Sequence, residues 1–373
     1  MKIKLNGFYY LNFTDFSYDQ SLDSVASSFS LACRFDNENR SLFKPLSFPK
    51  VEFFNDEEKL FFTGIIIDYN FNSNSETNLI QLSGYSTPGV LEDCNVPYSS
   101  YPLESNNMNL KEIIEKFIKP FNIKLIVDSS AKNEALKNYA KTSAAPEDNL
   151  KDYFSKLAAQ RNLILSHKEN GDLFLFKPDS KASPVFLFNK ENTIEMSLSV
   201  SGQNMHSEIT LLRQPKPKKT EKKKEPKPDA EEYEDELGYT HKKDPSTPPK
   251  PKSKKIKEKP QYFDTVKNPL VEVFRPTVKM LTEGEDFDTR NAAKNQLADE
   301  LKNIKVSIKI EGWKDIFPGQ IIEVQNEEIY FEERVKLIIE NIKKSESSGS
   351  REMDINCIPV EAYTGETPKN IFK

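Results

Sequence analysis

Apolar and polar residues alternate with a period of two through most of the first 90 residues, in runs separated by Asn, Asp and Pro clusters. Because successive side chains of a strand point to opposite faces, this pattern predicts strands with one buried face, arranged as an antiparallel sheet or small barrel. Gly64 interrupts two of the runs, and a glycine inside a strand pattern predicts a bulge or a sharp bend. The runs are 29–35, 51–54, 60–64, 65–69 and 79–82.

The period changes at Asn109, after which the apolar residues fall on one face of a helix that Pro120 ends. A strand is predicted at 122–127, and a second helix from about Asp148, which we expect to be its N-cap. Strands at 163–165 and 173–176 flank Asn170-Gly171, a strong hairpin signal. Residues 93–184 therefore form a predicted α/β module. The alternating segment 185–213 is predicted to close the first barrel, so that this barrel comprises 1–92 plus 185–213 and the module is an insertion.

The C-terminal part shows a similar pattern with one helix. Residues 271–274 predict a strand, Thr289 is the expected cap of a helix, and further strands are predicted at 306–310, 320–324, 335–342 and 353–360. Residues 261–373 are thus predicted to form a second barrel with a helix-containing module at about 275–312. The fold class that follows is α+β, mainly β, with two β-barrel-like domains and small helix-plus-sheet modules inserted.

Residues 214–260 separate the two parts and contain fifteen lysines, ten acidic residues and many prolines. Such a stretch has too few apolar side chains to offset the entropy lost on ordering, so we predict a disordered loop. Its basic runs, 216–219 and 252–255, suggest phosphate contacts. The interspersed acids and the lack of interleaved aromatics favour a solvated spacer.

Composition limits the remaining possibilities. The 373 residues carry a net charge of only -5, which predicts neither nucleic-acid binding nor attraction to membranes. Cys33, Cys94 and Cys357 lack metal-ligand or redox spacing and are expected to be reduced thiols. The start of the chain resembles no signal peptide, and no apolar run approaches the ~20 residues of a membrane span, so we expect folding in the cytoplasm.

Few residues suggest chemistry. His167, His206 and His241 lie in different segments and no catalytic motif accompanies them, so surface or capping roles are favoured. Acidic residues at 283–288 lack the glycine and terminal glutamate of a calcium loop. Trp313 is either a binding anchor or, more in keeping with a lone tryptophan, a core or corner residue. We therefore assign no catalytic, metal-binding or cofactor-binding residue.

Several segments in order resemble the baseplate hub proteins of Mu-like contractile-tailed phages. Residues 83–94, Ser-Gly-Tyr-Ser-Thr-Pro-Gly-Val-Leu-Glu-Asp-Cys, are similar to the family's Gly-Arg-Ser-x-Thr-x-x-Leu-x-Asp-Cys pattern and are the most specific match. Tyr85 stands where the family usually has arginine, and residues 214–260 have no expected counterpart. The other matching segments are 62–68, 118–123, 163–176, 274–276 and 311–313.

The resemblance implies a structural protein without enzymatic activity. Family hubs are homotrimers in which each chain contributes two similar barrels, so that six barrels match the sixfold tail tube on one side and the threefold central spike on the other. The implied partners are other copies of the chain, the spike, tail tube or tube-initiator proteins and further baseplate proteins, with no nucleic acid or membrane. The implied location is the host cytoplasm during assembly and then the baseplate of the virion tail.

Two alternatives stay open. A tail-associated protein that degrades the cell wall or binds glycans would need, for hydrolysis, two carboxylates meeting in a cleft, and no segment stands out as supplying them. A protein that contacts nucleic acid through residues 214–260 would show strongly salt-dependent binding. The sequence does not distinguish a phage from a prophage, a bacteriocin-like tail or a gene-transfer particle.

Overall fold

A computed structural model of the chain describes residues 1–10, 12–34, 40–73, 78–213, 233–234, 240–241, 263–281 and 289–372. Strands predominate over helices in these residues, which confirms the predicted mainly β, α+β fold. Of the helices within the described ranges, none is long and apolar enough to cross a membrane.

The N-terminal strands form a unit in which every neighbouring pair is antiparallel. The strands are β1 (Lys2–Leu5), β2 (Phe8–Tyr10), β3 (Phe13–Ser21), β4 (Ser28–Arg34), β5 (Lys50–Phe54), β6 (Leu60–Ser73) and β7 (Asn78–Ser86). Their order in the sheet is β3-β4-β7-β6-β5-β1-β2. The predicted antiparallel sheet is therefore present, because one residue in two along these strands faces a common core.

Gly64 does not mark a bulge or a break. The two predicted runs on either side of it are one continuous strand, β6, and the register shift between β6 and β7 lies further on, between Ile66 and Asp68. A Cβ on Gly64 would lie 2.2 Å from the Tyr85 carbonyl oxygen and 2.5 Å from the Phe62 ring. Glycine is needed here because the backbone and an aromatic ring approach closely, which is the other reason for a glycine within a strand.

A module with its own core follows the first unit. Its elements are α1 (Val90–Asp93), β8 (Glu104–Asn109), α2 (Leu110–Ile118), β9 (Leu125–Val127), α3 (Lys132–Ala135), β10 (Asn138–Ser143), α4 (Leu150–Ala159), β11 (Ile164–His167) and β12 (Leu173–Phe176). The β11–β12 hairpin confirms the Asn170-Gly171 signal, and β9 adds to it in parallel. Helices α2 and α4 pack their apolar faces into the core of this module.

The helix caps show how far local signals determine these elements. Asn109 accepts a hydrogen bond from the Glu112 amide at 3.0 Å, and the Glu112 carboxylate accepts one from the Asn109 amide, a complete capping box. The helix ends before Pro120, as predicted. The cap of α4 is Asn149 and not Asp148, because Asn149 accepts from the Asp152 amide at 2.7 Å while Asp148 accepts from Ala145 in the preceding turn.

The remaining elements are β13 (Leu187–Asn189), β14 (Glu195–Val200), β15 (Glu208–Arg213), β16 (Tyr233–Glu234), β17 (Thr240–His241), β18 (Phe263–Lys267), β19 (Pro276–Leu281), α5 (Thr289–Leu301), β20 (Ile304–Glu311), β21 (Ile321–Asn326), β22 (Phe331–Ser347), β23 (Ser350–Pro359) and α6 (Glu361–Thr364). The four C-terminal strands predicted from 306 onward are confirmed as β20 to β23. The strand predicted at 271–274 is absent. Strand β19 begins only at Pro276, and the carbonyl of the preceding residue, Arg275, accepts a hydrogen bond from the Ser207 amide. The predicted loop 214–260 lies outside the described residues except for β16 and β17.

The prediction that residues 185–213 close the first barrel is wrong. Strand β14 pairs with β20, β13 pairs with β21, and β15 joins β18 and β19 in a separate sheet that contacts α5. Met196 and Leu198 of β14 pack on the main core from the C-terminal side, so burial of these side chains fixes the pairing. The α/β module consequently lies between the two sheet units rather than inside the first.

The C-terminal unit repeats the strand order of the N-terminal one. It reads β14-β20-β23-β22-β21-β13, against β3-β4-β7-β6-β5-β1, and the corresponding strands also follow one another in the same order along the chain. Both units have a long strand with a register shift near its middle, at Ile66/Asp68 in β6 and at Ile339/Asn341 in β22. One difference is that β13 pairs with β21 in parallel, whereas β1 pairs with β5 antiparallel.

One strand pair joins the two units into a single 13-stranded sheet. The outer half of β22 pairs antiparallel with β3, from Asn341 opposite Ser21 to Ser347 opposite Asp15. Side chains of both units, including Phe16 and Ile342, consequently belong to the same buried core. We call this pairing the seam.

We predict that Gly84→Ala destabilises the protein strongly. The new Cβ would lie 2.0 Å from the Ile65 carbonyl oxygen and 2.8 Å from the Phe29 ring, so backbone or ring must shift, at about 1–3 kcal/mol. Urea unfolding measures the loss. The matched control is Gly202→Ala, because nothing lies within 4 Å of its added Cβ. Equal midpoints for the two variants would contradict the close packing at Gly84.

Candidate assembly surfaces and the signature segment

The signature segment, residues 83–94, connects the end of β7 to the central module. Tyr85 donates a hydrogen bond to the Asp93 carboxylate at 2.6 Å, and burial together with this carboxylate raises the pKa of its hydroxyl. A Cβ on Gly89 would lie 2.4 Å from the Tyr85 ring, so the ring lies directly on the backbone at Gly89. Tyr85 thus fastens the turn of α1 to β7 where the family resemblance would place an arginine.

Ser86 fastens the same segment to the loop before β4. Its hydroxyl donates to the Val25 carbonyl at 2.8 Å and accepts from the Ser27 amide at 3.1 Å, and its own amide donates to the Ser27 carbonyl. All these groups are buried, so each bond replaces one that water would otherwise make. The segment therefore acts as a rigid joint between the first sheet unit and the module.

His167 completes this joint from the module side. Its Nδ1 lies 3.1 Å from the Lys168 carbonyl, which makes Nδ1 the protonated nitrogen and leaves Nε2 to accept from the Ser27 hydroxyl at 2.5 Å. The pair has the composition of a serine–histidine dyad, but Ser27 is 1% exposed and His167 6% exposed. A substrate has no access to the hydroxyl, and the pair instead joins β11 to the first unit. Burial lowers the pKa of His167.

His206 lies in a different part of the described structure from His167. His206 hydrogen-bonds the carboxylate of the buried Glu300 through Nδ1 at 2.8 Å and through its amide at 2.9 Å, which ties the chain before β15 to the end of α5. His241 lies in β17, where side chains are outside the described set. The sequence predicts surface or capping roles for the histidines, whereas His167 is buried and His206 is held against the buried Glu300.

Trp313 is a core-edge residue. Its indole nitrogen donates to the Ser345 and Glu352 carbonyls at 3.1 Å each, and its ring packs on Phe16 and Phe61. Lys344 lies in the same aromatic cluster, with its ammonium 5.2 Å from the Phe61 ring, and burial lowers its pKa to about 8. These contacts stabilise the seam. The indole N–H donates to two backbone carbonyls, as a buried structural tryptophan does.

The remaining candidate residues from the sequence are the three cysteines, the acidic residues 283–288 and the two basic runs. Cys33 and Cys357 are buried free thiols and Cys94 is half-buried, and burial raises the pKa of Cys33 to about 12. The acidic residues 283–288 and both basic runs lie outside the described residues. Within the described ranges, no group of three or more His, Cys, Asp or Glu side chains is placed to hold a metal ion.

Two exposed apolar surfaces lie at strand edges. The first, the β14 groove, has a volume of about 490 Å³ and is lined by Leu198, Val200, Glu328, Ile329, Tyr330 and Phe372. The second, the β6 patch, is formed by Phe71, which is 42% exposed, and Tyr69, whose ring lies parallel to that of Phe71 at 6.4 Å. Sequence reasoning missed both, because an apolar strand residue that faces a partner has the same period as one that faces the core.

Comparisons with known proteins agree with this architecture. Residues 88–177 match the family model of the baseplate hub protein gp44-like, second domain. No curated protein matches this sequence.

Solved structures match over nearly the whole chain. The 43 kDa tail protein of prophage MuSo2 from Shewanella oneidensis has a TM-score of 0.71 at 18% identity, covering 97% of this chain and 99% of that one. The tail protein from Neisseria meningitidis MC58 has a TM-score of 0.71 at 17% identity, covering 98% and 97%. The E. coli c3393 protein, a type VI secretion component with structural similarity to T4 tail proteins gp27 and gp5, scores 0.58 at 10% identity, covering 100% and 80%.

At these identities the structural matches show the fold alone, and the family model covers only the central module. By sequence over residues 88–177, and by fold over nearly its whole length, the chain is similar to baseplate hub and tail proteins of phages and prophages, which confirms the resemblance to the hubs of Mu-like phages.

We predict that lowering the pH below about 6.5 loosens the joint at His167. Burial holds the pKa of His167 in the folded chain below the ordinary histidine value of about 6.5, so the unfolded chain takes up a proton that the folded chain does not. The stability contributed by His167 is therefore complete above that pH and declines as the pH falls through it. Melting temperatures from pH 7.5 to 5 measure the decline.

The matched control for this effect is His167→Gln, whose side-chain oxygen can still accept from Ser27 but does not titrate. Its melting temperature should fall less between pH 7.5 and 5 than that of the unmodified chain. Identical pH profiles for the two proteins would show that His167 does not carry the effect.

Proposed function

We propose that the chain is a structural baseplate hub of a contractile phage-type tail, forming a homotrimeric ring that adapts a sixfold tail tube to a threefold central spike. The observation that carries this proposal is the repeated strand order of the two sheet units. Three chains present six such units, so one particle has threefold symmetry in its chains and approximate sixfold symmetry in its sheets.

The similarities to known proteins support the same proposal. The central module resembles part of a baseplate hub, and the chain has the fold of two tail proteins, one of them from a prophage. The proposed partners are two further copies of the chain, the spike, tail tube or tube-initiator proteins and other baseplate proteins. No nucleic acid or membrane is among them. The proposed location is the host cytoplasm during assembly and the baseplate of the finished tail.

The geometry favours a binding role over catalysis. The polar pair with the composition of a catalytic dyad, Ser27 and His167, is enclosed between two units, and exposed apolar side chains lie along β14 and β6. Exposed apolar surface beside an unpaired strand edge is typical of a site for another protein. Ring formation makes and breaks no covalent bond, so the proposed mechanism is geometric.

Light scattering after size-exclusion chromatography tests the stoichiometry. We expect a particle with three times the chain mass of 42.9 kDa, formed by the chain alone or on addition of its spike. The large self-complementary surface that a ring requires is the physical reason. A particle that stays at one chain mass with spike and tube proteins present would contradict the proposal.

Zymography on cell-wall material tests the alternative of a wall-degrading protein. We expect no clearing from the purified chain, with lysozyme as the positive control in the same gel. Clearing that a single Asp→Asn or Glu→Gln substitution abolishes would replace the structural role by an enzymatic one.

A further inference from the structure

Two tyrosines project side by side from the central module. Tyr98 is 87% exposed and Tyr101 is 43% exposed, and their ring centroids lie 5.2 Å apart with the planes tilted by 38°. Tyr98 begins a turn of 3-10 helix and Tyr101 ends it, with the Tyr101 amide donating to the Tyr98 carbonyl at 3.2 Å. Each ring offers a flat apolar face and a polar tip. We call this pair the tyrosine platform.

The platform is fastened to the module on both sides. Before the turn, Val96 packs into the core of the module, and the side-chain amide of Asn95 donates to the Glu147 carbonyl at 2.8 Å. After the turn, the Lys116 ammonium donates to the Pro102 carbonyl at 2.6 Å. A ligand therefore meets a preformed surface, which lowers the entropy that binding has to overcome.

Two free carboxylates lie beside the platform. Glu147 and Asp148 are exposed, and the contact with Asn95 places them at the start of the turn. Neither carboxylate forms an ion pair with a described residue. On the other side of the turn, Glu104 is already paired with Lys141 at 3.3 Å. A ligand that fits this corner combines flat apolar groups for the rings with a positive charge for the two free carboxylates.

The chain carries a ligand of this chemistry in its own sequence. Residues 245–252 read Pro-Ser-Thr-Pro-Pro-Lys-Pro-Lys, and no acidic residue follows before Glu258. Aromatic-lined grooves of other proteins bind Pro-x-x-Pro segments, because such segments lose little conformational freedom on binding. Pro245 and Pro248 have this spacing, and Lys250 follows two positions later.

The segment is long enough to reach the platform of the same chain. The described chain resumes at Phe263, and the next residue bonds Thr289 at the first turn of α5. Helix α5 is about 20 Å long. Its far end lines a cleft together with Lys151 of α4, two residues after Asn149, which pairs with the chain just before the platform. Residues 251–263 span about 45 Å when extended, which covers this path.

We propose that the tyrosine platform binds the chain's own proline–lysine segment, residues 245–252, with prolines against the two rings and a lysine at Glu147 and Asp148. The rings supply most of the affinity, because an exposed ion pair contributes little. A tether gives an effective concentration of about 1 mM, so a dissociation constant of about 0.1 mM for the free peptide keeps the platform largely occupied. The insertion then serves as a ligand for the central module, and this role does not depend on ring formation.

Isothermal titration calorimetry with a synthetic peptide of residues 243–254 tests the occupant. The first protein is the unmodified full-length chain. The second is the four-alanine chain, in which Pro245, Pro248, Pro249 and Pro251 are replaced by alanine so that its own segment lacks the motif. The four-alanine chain should bind the peptide about tenfold more tightly, because the platform of the unmodified chain is already occupied. Equal affinity for the two chains, or binding to neither, would overturn the proposal.

Tyr98→Ala with Tyr101→Ala in the four-alanine chain tests the site. Peptide affinity should fall at least tenfold, whereas Tyr330→Ala, which removes an exposed tyrosine of the C-terminal unit, should leave it unchanged. An unchanged melting temperature shows that the double variant is folded, and Tyr98→Ser alone replaces it if it is not. Peptide binding that survives loss of the tyrosines would contradict the assignment.

Glu147→Gln with Asp148→Asn tests the charge contact. Peptide affinity should fall several-fold at low salt and less at high salt, because salt screens exposed charges. Cell-wall glycan fragments titrated into the four-alanine chain test the competing occupant, since sugar rings also stack on tyrosine. Glycan binding that the double tyrosine variant abolishes, with no binding of the peptide, would assign the platform to sugars and overturn the proposal.

Discussion

Strand β3 and the outer half of β22 are paired over seven residues, and the remaining architecture depends on this seam. Neither strand could bury its inward side chains within its own unit, since β22 extends past the end of β21 and β3 lies at the edge of its unit. Pairing them hydrogen-bonds two backbone edges and buries Phe16, Tyr18 and Ile342 in a shared core. A polar contact reinforces it, because the Asn341 amide donates to Asp19 at 2.7 Å and to Ser21 at 3.0 Å. Two units of the same strand order are thereby held at one defined angle.

Polar contacts attach the central module to this frame, with no strand pair between the two among the described residues. His167 and Tyr85 bond across the joint, the first in the interior and the second at the surface, and Ser86 ties the start of the signature segment to the loop before β4. The close contact of Gly89 with the Tyr85 ring leaves little freedom for the turn. Buried polar groups of this kind specify one arrangement, because any other leaves a donor or acceptor unsatisfied. The most specific segment of the family resemblance, residues 83–94, therefore connects two folded units. Its residues fix how the central module is oriented against the first sheet unit.

Much of the local structure could be predicted from the sequence, because the determining contacts are close in the chain. Asn109 and Pro120 bound a helix through a cap and a steric block, and Asn170-Gly171 sets a hairpin through its own backbone preference. Long-range pairing could not be predicted in this way. The alternation in β14 fits either unit equally well, so the sequence alone predicts the wrong unit for its partner strand. Gly64 predicts a bulge or a bend, whereas its lack of a side chain instead makes room for the Tyr85 carbonyl, a contact between residues far apart in the chain.

The central claim is that two like units per chain, held by the seam, are the repeating elements of a six-unit ring. An end-on image of the purified particle by electron cryomicroscopy, alone or with its spike, tests this claim most directly. The account predicts a closed ring with three chains and six similar lobes around it. A ring with any other number of chains, or three chains whose two units do not alternate at similar radius, would contradict it.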